Sequence, residues 1–118
     1  MRNLLFAAIL FLCSYLTSWA SHITGSEITY EHINNNTYNV HLYIYWDCTG
    51  GFNPGASQTL GVSGCMGSQT ITLNQSTNTP NNGIDVTKTC PGVYSNCSGG
   101  MVGGINMIEY TGLLTLPG

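Results

Sequence analysis

The clearest pattern in the chain is an alternation over residues 37–46, Thr-Tyr-Asn-Val-His-Leu-Tyr-Ile-Tyr-Trp. Tyr38, Val40, Leu42, Ile44 and Trp46 fall on one face, and Thr37, Asn39, His41, Tyr43 and Tyr45 on the other. A period of two, rich in aromatic and β-branched residues, predicts a half-buried strand. Residues 27–33 alternate in the same way, with Ile28, Tyr30 and His32 opposed to Glu27, Thr29 and Glu31. Asn34-Asn35-Asn36 separates the two runs, and Asn tolerates the positive φ of a tight turn. The pair predicts a hairpin with Ile28 and Tyr30 facing the core beside Leu42 and Val40.

Weaker strand signals follow. Residues 58–62 predict a short strand, and residues 68–74 predict a better one with Ile71 and Leu73 inward. Residues 84–89 predict another short strand. Residues 105–116 predict one long apolar strand, or two strands bent at Gly112. Gly and Pro punctuate the loop at 49–57, and glycines dominate residues 98–104. No helical period is present beyond the first twenty residues. Six or seven short strands separated by turn signals predict an all-β domain, an immunoglobulin-like Greek-key β-sandwich.

The N terminus reads differently. One positive charge, on Arg2, precedes the apolar run 4–12, and the small residues Ser18 and Ala20 flank Trp19. This predicts a secretory signal peptide over 1–20, cleaved between Ala20 and Ser21. The run is shorter than the roughly 20 apolar residues a bilayer span needs, so no membrane span is expected after cleavage. Cys13 follows bulky Leu12, which argues against a lipoprotein signal, and Cys13 is expected to leave with the leader. The remaining residues, 21–118, are expected to form a single β-sandwich domain. Their final apolar run lacks a polar tail, which leaves two readings open: a fragment truncated at its C terminus, or a short product resembling the start of something longer.

Charge narrows the possible partners. The whole chain has two Lys/Arg residues, five Asp/Glu residues and a net charge of −3. Once Arg2 is lost, Lys88 is the sole cation beside Glu27, Glu31, Asp47, Asp85 and Glu109. Nucleic acid and anionic lipid both require clustered Lys or Arg, so neither is an expected partner.

Four cysteines lie beyond the leader: Cys48, Cys65, Cys90 and Cys97. An even number in a short exported chain predicts disulfides. Four cysteines allow three pairings. We favour Cys90–Cys97, because the intervening Pro91-Gly92 segment can turn the chain back, which leaves Cys48–Cys65. No C-x-x-C knuckle supports a zinc site.

Catalytic chemistry is hard to assemble. His32 and His41 lie on the two hairpin strands, with His32 inward and His41 outward, and His22 lies near the expected mature terminus. Glu27 and Glu31 are about 13 Å apart along one strand, too far for a carboxylate pair. Asp47, beside Cys48, is the best candidate for calcium or for a capping hydrogen bond. No phosphate loop, dinucleotide fingerprint or Ser/His/Asp arrangement is present. We therefore expect no enzyme, metal or cofactor. Tyr43 and Tyr45 form the candidate binding surface, because amphipathic aromatics suit protein and glycan contacts.

Ser21-His-Ile-Thr-Gly-Ser-Glu-Ile-Thr-Tyr30 resembles the "SHIxGGEIxY" opening of large Bacteroidota cell-surface proteins. These are adhesin-like, many of them gliding-motility-associated or carrying PKD-type repeats, and they leave the cell by type IX secretion. The resemblance extends through residues 38–48, Cys90-Pro91, Cys97, Tyr110-Thr-Gly112 and Leu114-Thr-Leu-Pro117. It covers only the family's N-terminal module. Trp46 stands where the family has Arg, and Ser26 where it has a second Gly. The family continues into further cysteine-containing sequence, so a partner for Cys48 or Cys65 could lie there. The family's C-terminal sorting domain is absent from this sequence.

The resemblance implies an exported, non-enzymatic surface or adhesin-type module, at the cell surface or extracellular, and periplasmic if these 118 residues are the whole protein. Its partner would be a surface protein or glycan, or another copy through an edge strand. The alternative is a small secreted inhibitor or hydrolase domain tied by disulfides, with a Cys90–Cys97 loop as the inhibitory element.

Overall fold

The computed structural model describes residues 22–65 and 67–117. The leader expected over residues 1–20, with its expected cleavage between Ala20 and Ser21, lies outside the described residues. The protein is all-β: β1 (Ile23–Asn34), β2 (Thr37–Asp47), β3 (Ser57–Gly64), β4 (Gly67–Gln75), β5 (Ile84–Asp85) and β6 (Ile105–Thr115), with 3-10 turns at Cys48–Gly50 and Asn96–Ser98. All strands join one curled antiparallel sheet of order β1-β2-β6-β4-β3, with β5 pairing β6.

The hairpin follows its sequence pattern. Ile28 lies opposite Leu42 and Tyr30 opposite Val40. Asn35 takes a positive φ of 44° in the turn. Residues 105–115 form one continuous strand without a break at Gly112. The predicted strand at 84–89 shrinks to Ile84–Asp85, because Asp85 turns its carboxylate into the following loop.

β6 lies in the middle of the sheet. β2 pairs it along its whole length, from Asp47↔Ile105 to Thr37↔Thr115. Its other side receives β5 at Asn106 and Met107 and β4 at Tyr110 and Thr111. The sheet therefore ends in two edge strands, β1 and β3.

The core lies on the inner face. Val40, Ile44, Trp46, Leu73, Ile108 and Tyr110 are buried, and Leu42, Phe52, Leu60, Ile71 and Leu114 pack around them. The buried Tyr110 hydroxyl donates to the Gly55 carbonyl at 2.6 Å, so its polar end is satisfied and the loop before β3 is tied to the core. Leu73 packs inward as its alternation predicts. Ile28 and Tyr30 differ: they face inward but remain 52% and 71% exposed. β1 is an edge strand, and nothing among the described residues covers its inner side chains.

The cysteine pairing also differs from the sequence expectation. Cys48 is bonded to Cys97, with Cα atoms 5.2 Å apart, while Cys65 and Cys90 are free and exposed. The turn after Cys90 is closed instead by a backbone bond from Val93 N–H to the Cys90 carbonyl, and Cys97 sits in the 3-10 turn Asn96–Ser98. That turns Cys97 toward the end of β2, where the Cys48 amide already reaches the Gly104 carbonyl at 3.1 Å.

Candidate functional site

Side chains on the outer face of β2 and β6 form one hydrogen-bonded row. Antiparallel register places His41 opposite Thr111, Tyr43 opposite Glu109 and Tyr45 opposite Met107. Directly opposed residues share a face. His41 Nδ1 donates to Glu109 Oε1 at 2.8 Å, and the Tyr43 hydroxyl donates to the same oxygen at 3.2 Å. Asn39 Nδ2, which can only donate, meets His41 Nε2 at 3.0 Å. Nε2 therefore accepts, and the ring proton sits on Nδ1. The His41 and Tyr43 rings stack 10° from parallel with centroids 6.4 Å apart. β1 adds Glu27 opposite Tyr43, Thr29 opposite His41 and Glu31 opposite Asn39.

The electrostatics follow from this row. Partial burial raises the Glu109 carboxyl, but hydrogen bonds from His41, Ser76 and Tyr43 outweigh that and hold it below its ordinary value. Burial pushes the Tyr43 phenol up, and its bond to Glu109 and the charges of Glu109 and Glu27 push it further. The row is thus a pre-ordered aromatic and amide surface beside fixed negative charge.

Tyr43 and Tyr45, the residues singled out from sequence, do share this face. Both are half-buried. Tyr45 lines a shallow cleft with Val86, Thr87 and Lys88. Sequence reading did not join Glu109 to His41, because the two are 68 residues apart. The signal available was that both fall at outward parity on long strands.

The remaining candidates have structural partners. Asp47 caps the 3-10 turn at Cys48–Gly50, accepting from Thr49 N at 2.8 Å and Thr49 Oγ1 at 2.7 Å. His32 Nε2 lies 2.7 Å from the Asn35 carbonyl in the hairpin turn. Asp85 accepts from the Thr87 amide and from the Ser95 and Ser98 hydroxyls. Among the described residues, no three His, Cys, Asp or Glu side chains gather into a metal-binding group. No described helix is long and apolar enough to cross a membrane. No family model matches the chain, and no match emerged among curated sequences or solved structures.

Proposed function

We propose that the protein is an exported, non-enzymatic, adhesin-type module built as an immunoglobulin-like Greek-key sandwich, and that it binds a surface glycan or protein through the outer face of β2 and β6. The observation that carries the reading is the ordered row Asn39, His41, Tyr43 and Glu109. Its side chains are fixed before any ligand arrives, so little rotamer freedom remains to be lost on binding. Aromatic faces beside amide and carboxylate groups suit the mixed apolar and hydroxyl surface of a sugar or a polar peptide.

Strand order supports the Greek-key part. β3 and β4 form a hairpin, β6 returns to β4 after the long connection that carries β5, and β2 lies against the other side of β6. The Cys90–Cys97 loop named for the inhibitor alternative is not bridged, since Cys97 is bonded to Cys48.

The test is binding of the oxidised protein to a glycan array and to intact cells, compared with Tyr43→Ser/Tyr45→Ser. Loss of binding with an unchanged melting temperature supports the assignment. Equal binding by the double variant removes it.

A further inference from the structure

On the opposite, inner face the curled sheet leaves a groove of about 850 Å³ between its two edge strands. Ile28 and Tyr30 of β1 form one wall, Leu60 and Val62 of β3 the other, and Val40 and Leu114 the floor. Among the described residues, no charged side chain lines it. The groove is the place where the core is unfinished: Ile28 and Tyr30 carry the alternation of core residues yet remain largely exposed. The strands that flank it are also the two whose outer backbone edges lack a partner among the described residues. An apolar small molecule would fill the volume but leave those N–H and C=O groups unpaired, whereas an extended peptide satisfies both demands.

Charge specifies that peptide further. β1 alternates, so its outer face carries Glu27 and Glu31, four residues apart and without a cation opposite either. A strand added to β1 places its own outward residues directly beside these carboxylates, where opposite charges attract and like charges repel. A second copy of β1 would bring Glu against Glu. None of the described strands offers the alternative, since Lys88 lies outside them.

We infer that the groove accepts a β-strand from a different polypeptide, paired along β1. Its inward positions are apolar, and its outward positions carry Lys or Arg four residues apart. The groove lies on the face opposite Tyr43 and Tyr45, and only the rim carboxylates Glu27 and Glu31 border both.

The probe is a blocked peptide, acetyl-Ser-Ile-Lys-Val-Thr-Val-Lys-Ile-Ser-amide, titrated calorimetrically into the oxidised protein beside a control with both Lys replaced by Glu. The Lys peptide is expected to bind at least about tenfold more tightly. Glu27→Lys/Glu31→Lys, on the exposed strand, is expected to reverse that order. Tyr30→Asp is expected to weaken both peptides at least about tenfold by placing a charge in the apolar groove. Tyr43→Ser/Tyr45→Ser is expected to leave peptide binding unchanged, which separates this site from the outer face. Failure of the Lys peptide to bind a folded, bridged protein would overturn the inference. So would equal affinity for the two peptides, or a groove closed by self-association that sedimentation detects and the Lys peptide does not displace.

Discussion

Leu73 packs directly against Gly112, where β4 peels away from β6. A Cβ built on Gly112 would lie 2.7 Å from Leu73 Cδ2 and 2.8 Å from the Thr72 carbonyl oxygen. A strand glycine of this kind marks a close backbone approach, and here it lets the β3–β4 hairpin fold over the core.

Gly112→Ala should therefore destabilise the protein by about 1–3 kcal/mol, the usual cost of overpacking. Part of the obstruction is backbone and cannot rotate away. Gly61→Ala is the control, since a Cβ there meets nothing within 4 Å; it should be neutral or mildly stabilising. Urea unfolding followed by circular dichroism compares the two.

The Cys48–Cys97 bridge closes a loop with a sequence separation of 49. The chain-entropy model assigns it about 4 kcal/mol. Cys48→Ser/Cys97→Ser should lower stability by an amount of that order, while Cys65→Ser/Cys90→Ser should change it little. Mass spectrometry after alkylation without reduction should find Cys65 and Cys90 labelled and Cys48 and Cys97 protected. Labelling confined to any other pair would refute the bridge.

Acid should loosen the loop around Asp85. Hydrogen bonds from Ser95, Ser98 and Thr87 hold this carboxyl well below its ordinary value of 3.8. A carboxyl depressed on folding stabilises the folded state above its unfolded value, and that contribution is lost as pH falls through the folded one. Glu109 acts with the same sign. The melting temperature should hold near neutrality and fall with acidification below about pH 4. Asp85→Asn should be less stable near neutrality and less sensitive to acid, as thermal melts across that range would show.

Removing the Glu109 charge should be felt at Tyr43. Burial is the first cause of the raised phenol, followed by the hydrogen bond and charge of Glu109. In Glu109→Gln the Tyr43 phenol should move down toward its ordinary value of 10 while staying above it. Ultraviolet titration of the variant against the parent measures the difference, and an unmoved Tyr43 would mean that Glu109 does not touch it.

Local alternation was enough to read the hairpin. Ile28↔Leu42 and Tyr30↔Val40 follow from period-two parity and an Asn turn, both of which are properties of neighbouring residues. Distant encounters were not readable in that way. The Cys48–Cys97 pairing and the His41–Glu109 bond depend on where a long connection brings the chain back. The exposure of Tyr30 depends on β1 being an edge, which its own pattern cannot signal, since an edge strand and a central one alternate alike. Asp85 looked like one more surface acid because its three partners are small hydroxyl residues spread over residues 87–98.

The central place of β6 governs when folding can happen. A chain emerging N terminus first exposes β1 through β5 before the strand that joins β2 to β4 exists, and Cys97 becomes available only shortly before it. Half-made chains then hold one isolated hairpin at each end and no shared core, and two-stranded pieces alone are marginal in water. The two hairpins gain a common core only when β6 lies between β2 and β4.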